Sequence, residues 1–114
     1  EGKTWASRPD QSLVDPGCNA GIIRYSPKKP TPKKGILLFV NAKHKTDRKN
    51  LTLKISTDDG KSWPAEKTIY EGPAAYAAIT RLENADLGIV FEKDDYTQNT
   101  FVRISHEQIL ALLD

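Results

Sequence analysis

The pattern Ser56-x-Asp58-x-Gly60-x-x-Trp63 constrains this chain more than any other feature. It follows directly on Leu51-Thr52-Leu53-Lys54-Ile55-Ser56, where Leu51, Leu53 and Ile55 share one face, as a half-buried strand requires. Ser and Asp side chains can hydrogen-bond the backbone of a turn, Gly takes a left-handed step without a Cβ penalty, and Trp pins the turn into apolar packing. Thr57-Asp58-Asp59-Gly60 therefore predicts a tight hairpin turn. Gly2-Lys3-Thr4-Trp5 matches Gly60-Lys61-Ser62-Trp63 in register and reads as the end of an earlier copy. A turn that recurs tens of residues apart in a β-rich chain points to propeller blades of about four strands each. On that count the chain holds roughly two blades, and two blades alone would leave sheet edges open.

The remaining segments agree with an all-β reading. Ile36 to Val40 is a short apolar run of strand length, and Lys67 to Tyr70, Tyr76 to Leu82, Gly88 to Phe91 and Thr100 to Ile104 are further strands. Ile22 to Tyr25 is a less marked one. Gly72-Pro73, Asn84-Ala85-Asp86 and Asp94-Asp95 separate them as turns or loops. Ser26 to Gly35 is rich in Pro and Lys and predicts a stiff, solvated connection; a basic docking patch is the less economical reading. A single helix is expected over His106 to Leu113, N-capped by Ser105 with Gln108 completing a capping box and Ile109, Leu110 and Leu113 forming its apolar face. Trp5 and Trp63 are expected as core anchors, not as platforms for a sugar.

Composition excludes several functions. Charged residues make up 28% and hydrophobic residues 38% of the 114, a globular balance with no apolar run long enough to span a membrane. A net charge of +2, with its positive residues dispersed, does not specify a nucleic-acid partner. The lone Cys18 can form neither an internal disulfide nor a metal site by itself. No Met occurs, so the start of translation is expected to lie outside this sequence, and the functional unit is expected to be larger. On residue type alone Tyr76 is an ordinary strand aromatic, Arg48 a solvated loop residue within a charged stretch, and Glu92 a surface charge or a partner for a nearby Lys. His44 and His106 show no nucleophile or ligand pattern, and Asp58 and Asp59 are accounted for by the turn.

Taken in order, however, the segments resemble the bacterial exo-α-sialidase family. Ser56 to Trp63 matches its Asp-box, S-x-D-x-G-x-x-W. Arg48-Lys49-Asn50-Leu51 resembles the R-x-x-L segment that supplies the third arginine of the family's triad, and Ala75-Tyr76-Ala77-Ala78-Ile79 resembles the A-Y-S-x-L segment with its nucleophilic tyrosine. Gly88-Ile89-Val90-Phe91-Glu92 is similar to G-x-L-Y-E and is followed by Asp94-Asp95-Tyr96, while Asp15-Pro16-Gly17-Cys18-Asn19 is similar to D-P-x-C-Q. The chain departs from the pattern at Ala77, where the family often has Ser, and at Asn19-Ala20-Gly21 after Cys18.

The resemblance implies that residues 1–114 are the C-terminal blades, about two, of a six-bladed β-propeller. It implies hydrolysis of terminal α-linked sialic acids on glycoproteins, glycolipids or oligosaccharides. Tyr76 would be the nucleophile, Arg48 would bind the substrate carboxylate, and Glu92 would hold another arginine of the triad in place. The general acid Asp, the Glu that activates the tyrosine and two arginines would lie N-terminal to Glu1, so the remaining N-terminal part of the propeller is an expected partner and the isolated chain is expected to be inactive. No metal or organic cofactor is required by this route. Because glycan sialic acids lie outside the cell, a secreted, periplasmic or cell-surface location follows. Two other readings share the features: a transferase using the same covalent intermediate, and a non-catalytic Asp-box propeller that binds carbohydrate or protein.

Overall fold

A computed structural model describes residues 2–114. Its elements are β1 (Gly21–Arg24), β2 (Leu37–Ala42), β3 (Lys49–Ser56), β4 (Ala65–Arg81), β5 (Leu87–Lys93), β6 (Gln98–Ile104) and α1 (His106–Leu113). The strands form an antiparallel meander in sequence order, each pairing with the next. The chain is thus all-β with one short helix.

β4 joins two sheet units. Its first half pairs with β3, from Ala65 opposite Ile55 to Pro73 opposite Lys49. Its second half, from Ala74 opposite Lys93 to Arg81 opposite Leu87, pairs with β5. The expected turn at Gly72-Pro73 does not form, and the two strands expected there are one strand of 17 residues. Pro73 sits where the strand changes partner, so its missing N–H is not needed for either ladder. Its carbonyl accepts from Asp94 N at 2.9 Å, and Ala74 N donates to the Arg48 carbonyl at 3.0 Å. Gly72 makes room for a side chain and does not turn the chain: a Cβ there would lie 2.6 Å from Tyr70 Oη, and the phenol would have to shift. The first unit has four strands and the second three, one short of the expected four.

The apolar faces of the two units share one core, which includes Leu38, Val40, Leu51, Leu53, Ile55, Leu87, Ile89 and Phe91. Burial of each such Leu or Ile contributes roughly 1.5–3 kcal/mol. β3 is buried on both faces, not on one as its alternation predicts: Thr52, Lys54 and Ser56 are buried along with Leu51, Leu53 and Ile55. The second face is covered by the N-terminal segment, where Lys54 Nζ donates to the Ser12 carbonyl at 2.7 Å and reaches Glu66 at 3.7 Å. Ala77 N also donates to the Asn19 carbonyl at 3.2 Å, which ties the second unit to the approach of β1.

The turn after β3 is built as its residues dictate. Ser56 Oγ accepts from Gly60 N at 2.8 Å and donates to Asp58 Oδ1 at 2.7 Å. The Asp58 carboxylate takes Ser62 N at 2.9 Å and Ser62 Oγ at 2.6 Å. Asp59 and Gly60 occupy the left-handed region, at φ 59° and 85°. Trp63 packs against Phe39 with ring centroids 5.8 Å apart. Trp5, expected to anchor a core in the same way, is 89% exposed. Residues 2–20 form no strand, so no strand follows Trp5 as β4 follows Trp63. Helix α1 has the expected capping box, with Ser105 Oγ accepting from Gln108 N and Gln108 Oε1 accepting from Ser105 N. Ile109 and Leu113 dock it on the core. Asp86 Oδ1 accepts from His106 N at 2.7 Å and satisfies a further amide of the first turn.

Candidate active site

Arg48, Tyr76 and Glu92 come from three elements and meet at one end of the meander. Arg48 precedes β3 on the hairpin that leaves β2. That turn is held by the His44 ring, whose Nδ1 accepts from Thr46 N at 3.2 Å and Asp47 N at 2.8 Å. His44 carries no evident chemistry in the sequence, and its work is to shape the loop that presents Arg48.

Tyr76 stands at a β-bulge. Ala74 pairs with Lys93 and Ala77 with Phe91, so Ala75 and Tyr76 together face the single residue Glu92. A bulge removes one residue from the ladder and re-aims side chains, a device common beside functional sites. The amide it releases is satisfied by a side chain: Tyr76 N donates to Glu92 Oε1 at 3.1 Å. Tyr76 is 45% exposed, flanked by Ala74, Ala75, Ala77 and Ala78, whose methyl groups are too short to cover its ring.

The Arg48 guanidinium carbon lies 5.5 Å from the centre of the Tyr76 ring, within cation–π range. Its Nη1 donates to Tyr96 Oη at 2.8 Å and its Nη2 to the Gly17 carbonyl at 3.3 Å. The Tyr96 bond, more than any other contact, raises the Arg48 pKa still further, so the group is a permanent cation. Two of its five N–H donors are engaged, which leaves donors free for an anion. Gly17 is itself fixed: Asp15 Oδ1 accepts from Gly17 N and Cys18 N, both at 2.7 Å, and Asp15 Oδ2 accepts from Asn41 Nδ2 at 3.0 Å. Burial raises the Cys18 thiol pKa above its ordinary value, so the thiol stays protonated and is a poor nucleophile beside the arginine.

Arg48, Ala75, Glu92, Asp95 and Tyr96 line a small recess, and a wider open trough of about 380 Å³ continues past Tyr76 between Asn19, Ala20, Val90 and Asn99. An exposed phenol beside a fixed guanidinium can bind an anionic group and place a hydroxyl against it. Among the described residues no cluster of three His, Cys, Asp or Glu side chains is placed to hold a metal ion. Among the described residues no helix is long and apolar enough to cross a membrane. The arginine expected to pair with Glu92 is not among the described residues at that carboxylate; Tyr76 N is the hydrogen-bond partner there. Tyr96, Gly17 and His44 were not singled out as site residues by the sequence.

Known proteins similar in sequence and in fold give this chain a family. The chain is 38% identical over 85 residues to a sialidase of Micromonospora viridifaciens, covering 73% of this chain and 13% of that protein. It is 30% identical over 96 residues to a sialidase of Bacteroides fragilis (strain YCH46), covering 80% of this chain and 18% of that one. Among solved structures, the Hadza microbial sialidase Hz136 aligns over 82% of this chain and 18% of its own, with a TM-score of 0.66 and 27% identity. The intramolecular trans-sialidase from Ruminococcus gnavus, solved with oseltamivir carboxylate, aligns over 94% of this chain and 26% of its own, with a TM-score of 0.71; at 18% identity it speaks to the fold alone. No protein-family profile matches the chain. The relatives place the chain among glycoside hydrolases. Within that class it belongs to the bacterial sialidase family, and it spans less than a fifth of the length of the two sequence relatives.

Proposed function

We propose that this chain is the C-terminal part, about two blades, of the β-propeller catalytic domain of an exo-α-sialidase. The observation that carries the reading is the exposed Tyr76 at the bulge, with the Arg48 guanidinium 5.5 Å from its ring centre and fixed by Tyr96 and Gly17. Two sheet units joined by one continuous strand support the blade assignment, since the last strand of one blade then runs directly into the next.

The chemistry follows from the substrate. Sialic acid carries a carboxylate on its anomeric carbon, so an anionic nucleophile would approach against like charge in a partly desolvated site. Arg48 binds that carboxylate through its planar fork, which a Lys could not reproduce. The Tyr76 oxygen attacks the anomeric carbon as its proton passes to a base, and the bond to the leaving glycan oxygen breaks with protonation of that oxygen by a general acid. The resulting tyrosyl–sialic acid linkage is cleaved by water, which restores the Tyr76 hydroxyl and gives net retention, the exception to the two-carboxylate scheme of most glycosidases. The base and the acid belong to the rest of the polypeptide. Glu92, with Oε1 on the Tyr76 amide, has Oε2 available to hold one of the triad arginines contributed from outside this chain.

The substrates are terminal α-linked sialic acids of glycoproteins, glycolipids or oligosaccharides, and the enzyme acts outside the cytoplasm, in the periplasm, at the cell surface or after secretion. The test is Tyr76→Phe in the full-length polypeptide. Hydrolysis of an aryl sialoside is expected to fall by at least about 100-fold in kcat/KM, with sialoside binding retained. Activity near that of the wild type would overturn Tyr76 as the nucleophile, whereas a wild-type polypeptide that binds sialosides without hydrolysing them would leave a carbohydrate-binding propeller as the reading.

A further inference from the structure

Tyr96 is placed in an unusual way for an exposed aromatic residue. It is 58% exposed, so its ring packs into no core. It is also the third of three consecutive left-handed residues, Asp94, Asp95 and Tyr96, at φ 51°, 55° and 68°. Non-glycine residues adopt this region at a cost, and a run of three persists only when its surroundings hold it. The anchors are present. Asp94 N donates to the Pro73 carbonyl at 2.9 Å, Tyr70 Oη donates to Asp94 Oδ1, and Thr97 donates to the Asp94 carbonyl from N at 3.2 Å and from Oγ1 at 2.7 Å.

What this strained, anchored loop delivers is a single hydroxyl. Tyr96 Oη accepts from Arg48 Nη1 at 2.8 Å, across 48 residues of sequence and between two different hairpins. Gly17 holds the opposite nitrogen, and the Tyr76 ring lies alongside the guanidinium. We propose that Tyr96 is a positioning residue for the substrate: its hydroxyl fixes the plane of the Arg48 fork so that the remaining N–H donors meet the sialic acid carboxylate. The proposal rests on the reading of Arg48 given above. An exposed arginine without such a stay would have to lose its rotamer freedom on each binding event; one already held loses less.

The test is a double-mutant cycle in the full-length polypeptide, using Tyr96→Phe, Arg48→Ala and their combination. An aryl sialoside gives KM and kcat, and the 2,3-unsaturated sialic acid analogue gives Ki. Tyr96→Phe removes one hydrogen bond and is expected to raise KM and Ki about five- to tenfold, with kcat changed less than about twofold. In the Arg48→Ala background the same change is expected to have no further effect, because the group it positions is gone. An unchanged Ki for Tyr96→Phe, while Arg48→Ala still weakens binding, would overturn the positioning role and leave the Arg48 assignment intact. An equal penalty in both backgrounds would also overturn it, since Tyr96 would then act independently of Arg48. An unchanged Ki for Arg48→Ala would overturn the Arg48 assignment itself and Tyr96 with it.

Discussion

Replacing Ser56 by Ala should unlock the turn between β3 and β4. The Ser56 side chain is fully buried and its oxygen accepts from two backbone amides, Gly60 N at 2.8 Å and Asp58 N at 3.3 Å, while donating to Asp58 Oδ1. Alanine removes all three bonds and leaves two part-buried amides to find water or go without. An orphaned donor costs about 1–3 kcal/mol, and the longer of the two bonds belongs at the bottom of that range, so the loss is roughly 2–4 kcal/mol. Ser62→Ala is the control. It deletes one exposed bond, Ser62 Oγ to Asp58 Oδ2, while Ser62 N keeps its hold on Asp58 Oδ1, and should cost less than about 1 kcal/mol. Denaturant unfolding of the full-length polypeptide gives the stability change, and hydrogen exchange of the peptide spanning residues 56–63 localises it. Protection in that peptide should fall steeply for Ser56→Ala and little for Ser62→Ala. Equal, small losses in both variants would refute the view that the buried serine organises this turn.

Acid should weaken the same turn in a defined window. The bonds from Ser62, first its side chain and then its amide, with a smaller share from Ser56, hold Asp58 down from 3.8 to about 2. A depressed carboxylate pKa contributes stability that is complete above the unfolded value and is lost as pH falls towards the folded one, so the turn should loosen between pH 3.8 and about 2. Asp86 is shifted the same way, chiefly by Arg103, and should add to the acid loss; Asp58→Asn should flatten the part of the pH profile that belongs to the turn. At the bulge, Glu92→Gln keeps an oxygen for the Tyr76 amide and Glu92→Ala does not, so amide exchange at Tyr76 should quicken in the alanine variant alone.

Local chemistry made most of the fold legible. Strict alternation marked β3, Asp-Gly marked its turn, and the Ser105–Gln108 pair marked the start of α1, all within a residue or two of the observed bounds. The sequence misled where a distant partner decides. Gly72-Pro73 looks like punctuation, but a proline costs nothing at a point where a strand exchanges one neighbour for another. The polar residues of β3 look solvated because the segment that buries them, around Ser12, has no pattern of its own. Trp5 repeats the local signature of Trp63, but no strand follows it as β4 follows Trp63, and it is exposed.

The site divides in the same way. Arg48, Tyr76 and Glu92 were named only through the order of family segments, since each is unremarkable by residue type. Their grouping comes from a bulge and two hairpins whose contacts span 16 to 48 residues. The supports Tyr96, Gly17 and His44 act through a single hydroxyl, carbonyl and ring nitrogen, and nothing local in the sequence marks those atoms as special.

The proposed covalent step at Tyr76 is tested most directly by trapping it. A sialic acid bearing fluorine at the anomeric carbon and at its neighbour forms the enzyme-bound sugar readily and releases it slowly, so peptide mapping of the inactivated full-length polypeptide reads the attachment site. One sialyl adduct is expected, on Tyr76, and none in Tyr76→Phe. An adduct on any other residue, or rapid hydrolysis of sialosides with inverted product and no adduct at all, would contradict it.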